Sequence, residues 1–323
     1  MNRCIICDND KENTTYVVKE LQLGLSDSFK YMECGSCGCL FLIDVPSDMS
    51  KYYPTDYYSF IPMTEKSIPF LKRFIQNRVR KQIISYYENQ GGGIRLISRI
   101  FPAILPPIEY ADNVKNKKIL DIGCGHGKLL VTMAKAGFAR LFGADPYVDS
   151  EIVYKLQDGN EIRIFKCDLF GIDEKYDIVM LNHSFEHMFD HEKVLMHIHT
   201  ILEGAGECVI TIPTTSSYAW LNYRENWFNL DAPRHLIIHS IDSLKFIAKK
   251  CGFKVKWVTY VSEEGPVRSK LYKKGWDFKR QNRYLYKTPI GIIRLITNKI
   301  LSTRFNRRLT GDIVRVCLEK GGG

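Results

Sequence analysis

The middle of the chain alternates short runs of apolar residues with segments in which apolar residues recur every three or four positions. The runs KKILDI, RLFGAD, IRIFKCD, YDIVMLN and GECVITIP predict β-strands. Helical spacing predicts helices from about Lys128, near Glu151 and from about His191. Strands that alternate with helices indicate a parallel sheet covered on both faces, whose ligands bind at the carboxyl ends of the strands.

Further patterns flank this region on both sides. TTYVVKELQLG and FKYMEC predict short strands near the amino terminus, and PFLKRFIQNRVRKQIISYYENQ has helical spacing. SIDSLKFIAKKCGF predicts a capped helix from Ser240 to Gly252, and FKVKWVTYV and GDIVRVCLEK predict a closing pair of strands. The predicted organisation is a module over residues 1–50, a connecting helical segment over 51–110 and an α/β domain over 111–323.

Positive charge is concentrated in one late segment of the chain. The 323 residues carry a formal net charge of +10, and residues 266–308 hold thirteen Lys and Arg against one acid, Asp277. This basic insertion therefore accounts for the basicity of the whole chain. No run of eighteen apolar residues occurs and the amino terminus lacks the apolar stretch of a secretory signal, so we expect a cytoplasmic protein with at most peripheral contact at the inner face of a membrane.

Five of the ten cysteines crowd the first forty residues. Cys4, Cys7, Cys34 and Cys37 form two C-x2-C turns, the ligand set of a closed tetrahedral Zn²⁺ site, and Cys39 is an alternative to Cys37. Four thiolates leave no open coordination position, so the predicted zinc is structural and supplies much of the module's folding energy. Free thiols or a redox pair are the alternative.

The segment LDIGCGHG places three glycines at alternate positions after a predicted strand, at 123, 125 and 127. Lys128 stands where a dinucleotide fingerprint has its third glycine, and a phosphate-binding P-loop needs a longer gap followed by G-K-[ST]. Asp145 ends the next strand, where a carboxylate can accept hydrogen bonds from two ribose hydroxyls. The pattern therefore indicates a nucleoside ligand without a pyrophosphate.

From about residue 110 to the end, the sequence resembles the class I S-adenosylmethionine (SAM)-dependent methyltransferases. LDIGCGHG is similar to the first motif of this family, GADP to the end of its second strand, CDL to that of the third, and YDIVMLNHSFEHMFD to the fourth strand and its loop. The resemblance implies an α/β, Rossmann-like sheet of seven strands with an antiparallel last strand. In this chain the sheet would follow a small zinc-ribbon-like module at the amino terminus.

The resemblance also implies a set of cofactor-binding residues. Asp121 and the loop glycines would face the methionine half of SAM, Asp145 the ribose, Asp168 the adenine amino group and Leu169 the adenine ring. Capping of the following turn is the alternative role for Asp121 and Asp168. The complete predicted set is Asp121, Gly123, Gly125, Gly127, Asp145, Asp168, Leu169 and Asn182.

Histidines are concentrated in two segments that follow predicted strands. NHSFEHMFDHEKV contains His183, Glu186 and His187, and NWFNLDAPRHLIIHS contains His235 and His239. Histidine is the usual base at neutral pH, so we predict His235 as the catalytic base, with substrate binding or packing as its alternatives. His187 is a second catalytic candidate, for which a structural or cofactor-lid role is as well supported. His191, His197 and His199 lie at helical spacing and are expected to be surface or core residues.

The segment DAPRHL resembles a methyltransferase branch associated with bacterial surface-glycan and deoxysugar pathways, some members of which begin with a zinc module. We therefore predict O- or C-methylation of a sugar or glycan precursor, with an acceptor that is nucleotide-linked or lipid-linked. An RNA methyltransferase is one alternative, although NHSF stands where base-amine methylation usually shows N-P-P-[YF]. A binding module without turnover is another. For the basic insertion we weigh a lid for an anionic partner, a membrane contact and a packed helix with a solvated face.

Overall fold

A computed structural model of the chain describes residues 3–25, 27–53, 107–108, 113–156, 159–261, 264–295, 297–298 and 310–321. Two compact units are formed by these residues. The first unit lies within Met1–Pro54, Phe185–Leu195 and Ile210–Gly323, and the second within Thr55–Ser184 and Met196–Val209. Most of the predicted connecting segment 51–110 and the end of the basic insertion lie outside the described residues.

The described strands and helices follow the predicted order in most places, and the differences are given below. The strands are β1 (Thr14–Lys19), β2 (Ser28–Glu33), β3 (Leu40–Leu42), β4 (Lys118–Ile122), β5 (Arg140–Ala144), β6 (Ile152–Lys155), β7 (Glu161–Phe165), β8 (Tyr176–Asn182), β9 (Leu202–Pro213), β10 (Ile237–Ile238), β11 (Phe253–Val261) and β12 (Ile313–Lys320). The helices are α1 (Lys128–Lys135), α2 (His191–Ile201), α3 (Tyr218–Tyr223), α4 (Ile241–Lys250), α5 (Gly265–Tyr272) and α6 (Phe278–Lys287). Residues 289–295 are also helical.

A mostly parallel sheet forms the centre of the second unit. Its strand order is β9-β8-β4-β5-β7-β6, with β4 parallel to β5 and β8, and β5 parallel to β7. Ile119, Leu120 and the run from Ile178 to Leu181 are fully buried. Such continuous apolar runs are typical of parallel strands covered on both faces, and this part of the unit confirms the predicted Rossmann-like arrangement.

The helix predicted near Glu151 is wrong, because β6 occupies that position. β6 is antiparallel to β7, with Ile152 opposite Ile164 and Lys155 opposite Glu161. The β-branched Ile152 and Val153 favour an extended backbone, and a short turn that includes Gly159 returns the chain to its neighbour. This sheet therefore gains an edge strand that the sequence patterns did not predict.

The first unit contains a second sheet, in the order β1-β2-β3-β10, and the antiparallel pair β11–β12. The pairs β1–β2, β2–β3 and β3–β10 are all antiparallel. In the last of them Ile237 lies opposite Phe41 and Ile238 opposite Leu40. The amino-terminal hairpin is thus continued by residues from the DAPRHLII segment, about two hundred positions later in the chain.

Local signals fix the ends of several helices. The Ser240 side chain accepts a hydrogen bond from the Ser243 amide at the start of α4, as the predicted capped helix requires. The Asp277 side chain likewise accepts from the Arg280 amide at the start of α6. Among the described residues, no helix is both long enough and apolar enough to cross a lipid bilayer.

Candidate active site

The glycine loop joins β4 to α1 in the second unit. Gly123 and Gly127 have φ of 72° and 73°, a left-handed conformation that favours glycine. A Cβ atom at position 123 would lie 2.5 Å from Cβ of Ser184, and one at position 127 would lie 2.6 Å from Cδ1 of Ile164. Ser184 itself donates a hydrogen bond to the Ile122 carbonyl at 2.6 Å. The left-handed backbone and these close neighbours therefore strongly favour glycine at both positions.

Asp145 follows the last residue of β5 and holds the glycine loop in place. Its Oδ2 accepts a hydrogen bond from the Gly125 amide at 2.8 Å, and its Oδ1 accepts from the Tyr147 amide at 2.9 Å. Each carboxylate oxygen can accept more than one hydrogen bond, so both retain capacity for a ligand hydroxyl. Asp145 is only 7% exposed, and it is the residue predicted to bind a ribose.

Asp121 lies inside β4 and carries its carboxyl group into the interior. The residue is 3% exposed, and its Oδ1 has no hydrogen-bond partner in the described structure. Burial, reinforced by the nearby negative charge of Asp145, raises the pKa of Asp121 to about 8. Among the described residues no capping hydrogen bond to Asp121 is found, and its buried carboxyl group is suited to meet a cationic ligand group.

The remaining predicted cofactor residues also lie at or just beyond the ends of strands in the second unit. Asp168 caps the turn Leu169–Gly171, since its Oδ1 accepts from the Gly171 amide at 3.2 Å. Asp168 is exposed and Leu169 is buried, while Asn182 is half-buried at the end of β8. Asp168 thus has the capping role weighed above, and a contact with adenine stays a prediction.

In the first unit, Glu186, His187 and His235 converge, each with a side-chain donor or acceptor atom within 4.8 Å of the others. His235 Nδ1 lies 2.8 Å from the Asn229 carbonyl oxygen, and His187 Nδ1 lies 2.8 Å from that of Arg234. A carbonyl can only accept, so both Nδ1 atoms donate and each neutral ring keeps its lone pair on Nε2. His235 Nε2 lies 3.9 Å from oxygens of Glu186 and Asp231.

The electrostatic surroundings of His235 keep its ring neutral. Burial, together with the neighbouring His187, lowers the pKa of His235 to about 4. Burial alone would raise the pKa of Asp231, but the Arg234 guanidinium holds it below its usual value. Arg234 is 1% exposed, binds Asp231 through two nitrogens and donates to the Tyr52 carbonyl at 3.0 Å. The segment around His235 is therefore fixed by a buried ion pair and can present an unprotonated nitrogen.

Other histidines of the two segments have structural surroundings. His191 Nδ1 lies 2.8 Å from His239 Nε2 in the core, and the ring of Phe185 stacks on both imidazoles. His197 contacts the Ile172 carbonyl oxygen at 3.0 Å through Nε2. These contacts agree with the packing roles expected for His191 and His197, and they separate His239 from the cluster around His235.

The four predicted zinc ligands lie together, with all four Sγ atoms within 4.8 Å of one another. Cys4 and Cys37 Sγ are 3.7 Å apart, and Cys7 and Cys34 Sγ are 3.6 Å apart. Four sulfurs around a tetrahedral Zn²⁺ at about 2.3 Å stand about 3.8 Å from one another, so the spacing fits this ion. The amides of Ile6 and Cys37 point at Cys4 and Cys34 Sγ at 3.4 Å. Cys39 is outside the group, and the geometry favours Cys37 as the fourth ligand.

Three residues that support the candidate sites were absent from the sequence-based prediction. Asn229 orients His235 through its backbone carbonyl, and Tyr31 donates a hydrogen bond to the His235 carbonyl at 2.8 Å. Ser184 closes against Gly123. A backbone acceptor has no signature in the sequence, and Tyr31 is 204 positions from its partner, whereas Ser184 could have been found from its place two residues after a strand.

Comparison with known proteins places these features in a family. A family model described as a methyltransferase domain matches residues 89–256, slightly more than half of the chain. A putative protein N5-glutamine methyltransferase of Methanocaldococcus jannaschii is 29% identical over 124 residues, covering 35% of this chain and 61% of the relative. A tRNA U34 carboxymethyltransferase of Campylobacter jejuni is 23% identical over 157 residues, covering 47% and 53%.

The chain thus spans about three fifths of the length of the first relative and about half of the length of the second. Among solved structures, the 1,6-didemethyltoxoflavin-N1-methyltransferase of Burkholderia thailandensis is similar with a TM-score of 0.41 and 12% identity, covering 80% of this chain and 93% of that protein. From its match to the family model over residues 89–256, the chain belongs to the methyltransferase-domain family.

Proposed function

We propose that the protein is a SAM-dependent methyltransferase. The observation that carries this proposal is the glycine loop held by Asp145, with the buried carboxyl group of Asp121 in the strand before it. Asp145 keeps hydrogen-bonding capacity for a ribose, and Asp121 offers a negative charge to the ammonium group of the methionine half. Membership of the methyltransferase-domain family supports the same assignment.

When bound, SAM supplies a methyl group on a sulfonium sulfur, so the protein has mainly to align this group with the acceptor. An oxygen or carbon acceptor forms the new bond with the methyl carbon, the carbon–sulfur electron pair goes to sulfur, and S-adenosylhomocysteine leaves. The acceptor also loses a proton. We assign this proton to Nε2 of His235, which is unprotonated because its Nδ1 donates to the Asn229 carbonyl.

Glu186 and His187 are the remaining members of the proposed acceptor site. The carboxylate of Glu186, 3.9 Å from His235 Nε2, would stabilise the imidazolium that forms after proton transfer. His187 lies 4.7 Å from His235 between ring centroids, close enough for both rings to contact one acceptor molecule. His187 therefore binds the acceptor in our proposal, and His235 moves the proton.

We also propose one structural zinc ion at Cys4, Cys7, Cys34 and Cys37. The near-tetrahedral spacing of the four sulfurs supports this ion, and the amides aimed at two of them would stabilise thiolate charge. With four cysteine ligands the metal would have no open position and no part in methyl transfer.

For the acceptor we propose a sugar or glycan precursor, methylated on oxygen or carbon. Its support is the resemblance of the DAPRHL segment, which forms the ordered turn that presents His235. The two relatives reported above are named for protein glutamine and tRNA, so the acceptor class is open to direct test. RNA is the second candidate, favoured by the tRNA relative and by the charge of the basic insertion.

The test supplies purified protein with SAM carrying a labelled methyl group and three acceptor pools: nucleotide-linked sugars, undermethylated tRNA and a protein extract. We expect label only in the sugar pool, in a product that mass spectrometry identifies as one methyl group heavier. Label in tRNA would replace the sugar proposal with the second candidate. Binding of SAM with no labelled product in any pool would favour a module without turnover.

A further inference from the structure

A pocket of about 280 Å³ lies within the first unit. None of its lining residues belongs to the histidine cluster, the group formed by Glu186, His187 and His235. The pocket is formed by α3, by α5 with the turn after it, and by Arg294, Thr297 and Asn298. Its ten lining residues are Tyr218, Tyr223, Pro266, Val267, Lys270, Leu271, Lys274, Arg294, Thr297 and Asn298. We call this the basic pocket. Its volume is near the lower limit for small-molecule sites, and it accommodates a phosphate or pyrophosphate group.

The lining of the basic pocket has one sign of charge. Lys270, Lys274 and Arg294 contribute three cations, and no aspartate or glutamate is among the lining residues. Within the described part of the chain, no carboxylate forms an ion pair with Lys270 or Lys274. Three cations around one concavity repel each other unless water or an anion separates them, so the arrangement favours a bound anion.

Glu264, the acidic residue directly before α5, already accepts hydrogen bonds from other side chains. Glu264 accepts hydrogen bonds from Arg268 at 2.8 Å and from the Tyr286 hydroxyl at 2.5 Å. Arg268 is 4% exposed and its guanidinium lies about 5 Å from the rings of Phe228 and Phe278. Arg268 is therefore used for packing. Lys270, two residues later on α5, is exposed at the pocket.

The other side chains of the basic pocket suit an organic phosphate better than a bare ion. Tyr218 and Tyr223 present aromatic rings, which stack on nucleobases or on sugar faces. The Thr297 hydroxyl donates to the Arg294 carbonyl at 3.0 Å, so it retains lone pairs that can accept a hydrogen bond from a ribose hydroxyl. In a nucleotide site of this kind, the cations would bind the phosphate and the aromatic rings would stack on the base.

We propose that the basic pocket binds the phosphate or pyrophosphate group of a nucleotide-linked acceptor. The proposal rests on the methyltransferase function for its biological meaning, but the binding itself needs neither SAM nor turnover. Lys270 would contact the phosphate oxygens from α5, Lys274 from the turn that follows α5, and Arg294 from the neighbouring helical segment. The pocket would then select acceptors that carry a phosphate.

The experiment titrates the full chain with uridine diphosphate and with inorganic pyrophosphate, at low and at physiological salt. We expect saturable binding of both, and a Lys270→Ala/Lys274→Ala variant should weaken it by about tenfold or more, the scale of two charged hydrogen bonds near a surface. The matched control is Lys279→Ala/Lys287→Ala, which removes the same charge from α6, outside the pocket. This control should keep the wild-type affinity at physiological salt.

Equal weakening by the control variant, or no binding by the wild type, would overturn the proposal. A parallel measurement uses vesicles of phosphatidylcholine with phosphatidylserine. Vesicle binding that the pocket variant abolishes, without any binding of uridine diphosphate, would show a lipid surface instead and would also overturn it. S-adenosylhomocysteine is titrated into each variant as well, since its failure to bind the wild type would contradict the methyltransferase function rather than the pocket.

Discussion

Asp121 places a carboxyl group where water cannot solvate its charge. Burial raises the pKa of this group to about 8, so the free protein holds a proton there at neutral pH. A ligand ammonium group beside Asp121 favours the ionised carboxylate, so binding of such a ligand must release this proton. The residue thereby couples the affinity for the methionine half of the ligand to pH.

We predict that the affinity for S-adenosylhomocysteine rises with pH by at most about tenfold per pH unit up to about pH 8. Above that pH the affinity levels off. The direction follows because the free protein binds more protons than the complex below pH 8. Calorimetric titration at several pH values checks this, and Asp121→Asn should lose the dependence because an amide does not titrate. The same slope in the wild type and in Asp121→Asn would remove Asp121 from the binding site.

His235 is the residue to which we assign proton transfer. With a pKa lowered to about 4, it is neutral at pH 7 and can accept a proton through Nε2. We predict that His235→Ala lowers turnover by about 10²- to 10⁴-fold, the usual contribution of a general base. Affinity for S-adenosylhomocysteine should be unchanged, because the removed group acts on the acceptor.

The matched control for this variant is His197→Ala, which removes a histidine that contacts the Ile172 carbonyl and the Phe170 ring within the second unit. It should retain turnover. With SAM kept at saturating concentration, the rate of the wild type should fall as the pH approaches about 4, where His235 takes up its proton. Full activity of His235→Ala would exclude this residue as the base, and His187 would be tested next.

Residue identities could be predicted from sequence where a motif dictates them. The three glycines and Asp145 were found because a tight loop after a buried strand allows few residue types, and the spacing of Cys4, Cys7, Cys34 and Cys37 leads directly to a four-sulfur cluster. The orientation of His235 could not be predicted, since it depends on a backbone carbonyl and on a tyrosine far away in the chain.

Among the elements, the two-residue strand β10 connects the amino-terminal module (residues 1–50, here called the cysteine module) with the segment that carries His235. β10 pairs with β3, which begins three residues after Cys37. Thr215 donates to the Gly38 carbonyl at 2.6 Å, and the Ser240 hydroxyl donates to the Cys37 carbonyl. The cysteine module therefore supports the backbone that follows His235, and loss of its metal should affect the group of Glu186, His187 and His235.

We predict about one equivalent of zinc in the purified protein and a lower Tm for Cys34→Ser, because an incomplete ligand set cannot hold the ion. Turnover should also fall, since β3 and β10 lose their support, whereas affinity for S-adenosylhomocysteine should remain. Metal analysis, thermal unfolding and calorimetry check these expectations. Cys167→Ser, which changes a cysteine of the second unit, is the control and should keep both metal and Tm.

An equally stable Cys34→Ser protein, or a wild type without metal, would contradict the structural role of zinc.

The pairing of β10 had no signal in the sequence, because two apolar residues do not make a strand pattern on their own. The same weakness of short patterns explains the wrong helix near Glu151. Four residues between turns carry too little periodicity to separate a strand from a helix, and the partner strand β7 decides the outcome.

At the scale of the whole molecule, the alternating strands and helices of the second unit were more predictable than the contacts between distant segments in the first unit. The alternation of strands and helices led to the Rossmann-like sheet, because the burial of each element leaves its own period in the sequence. The first unit instead combines residues within Met1–Pro54 with Phe185–Leu195 and Ile210–Gly323. Contacts between such distant segments have no local pattern that a sequence reading could use.

In our proposal the glycine loop, Asp121 and Asp145 together bind SAM. The most direct measurement is calorimetric titration of the full chain with S-adenosylhomocysteine, repeated with Asp145→Ala and with the exposed neighbour Asp149→Ala as control. We predict binding that Asp145→Ala weakens by about 1.5 to 3 kcal/mol, the scale of hydrogen bonds to a charged acceptor, while Asp149→Ala leaves it unchanged. Tight binding of NAD in place of S-adenosylhomocysteine, or equal affinity in the Asp145→Ala variant, would contradict the account.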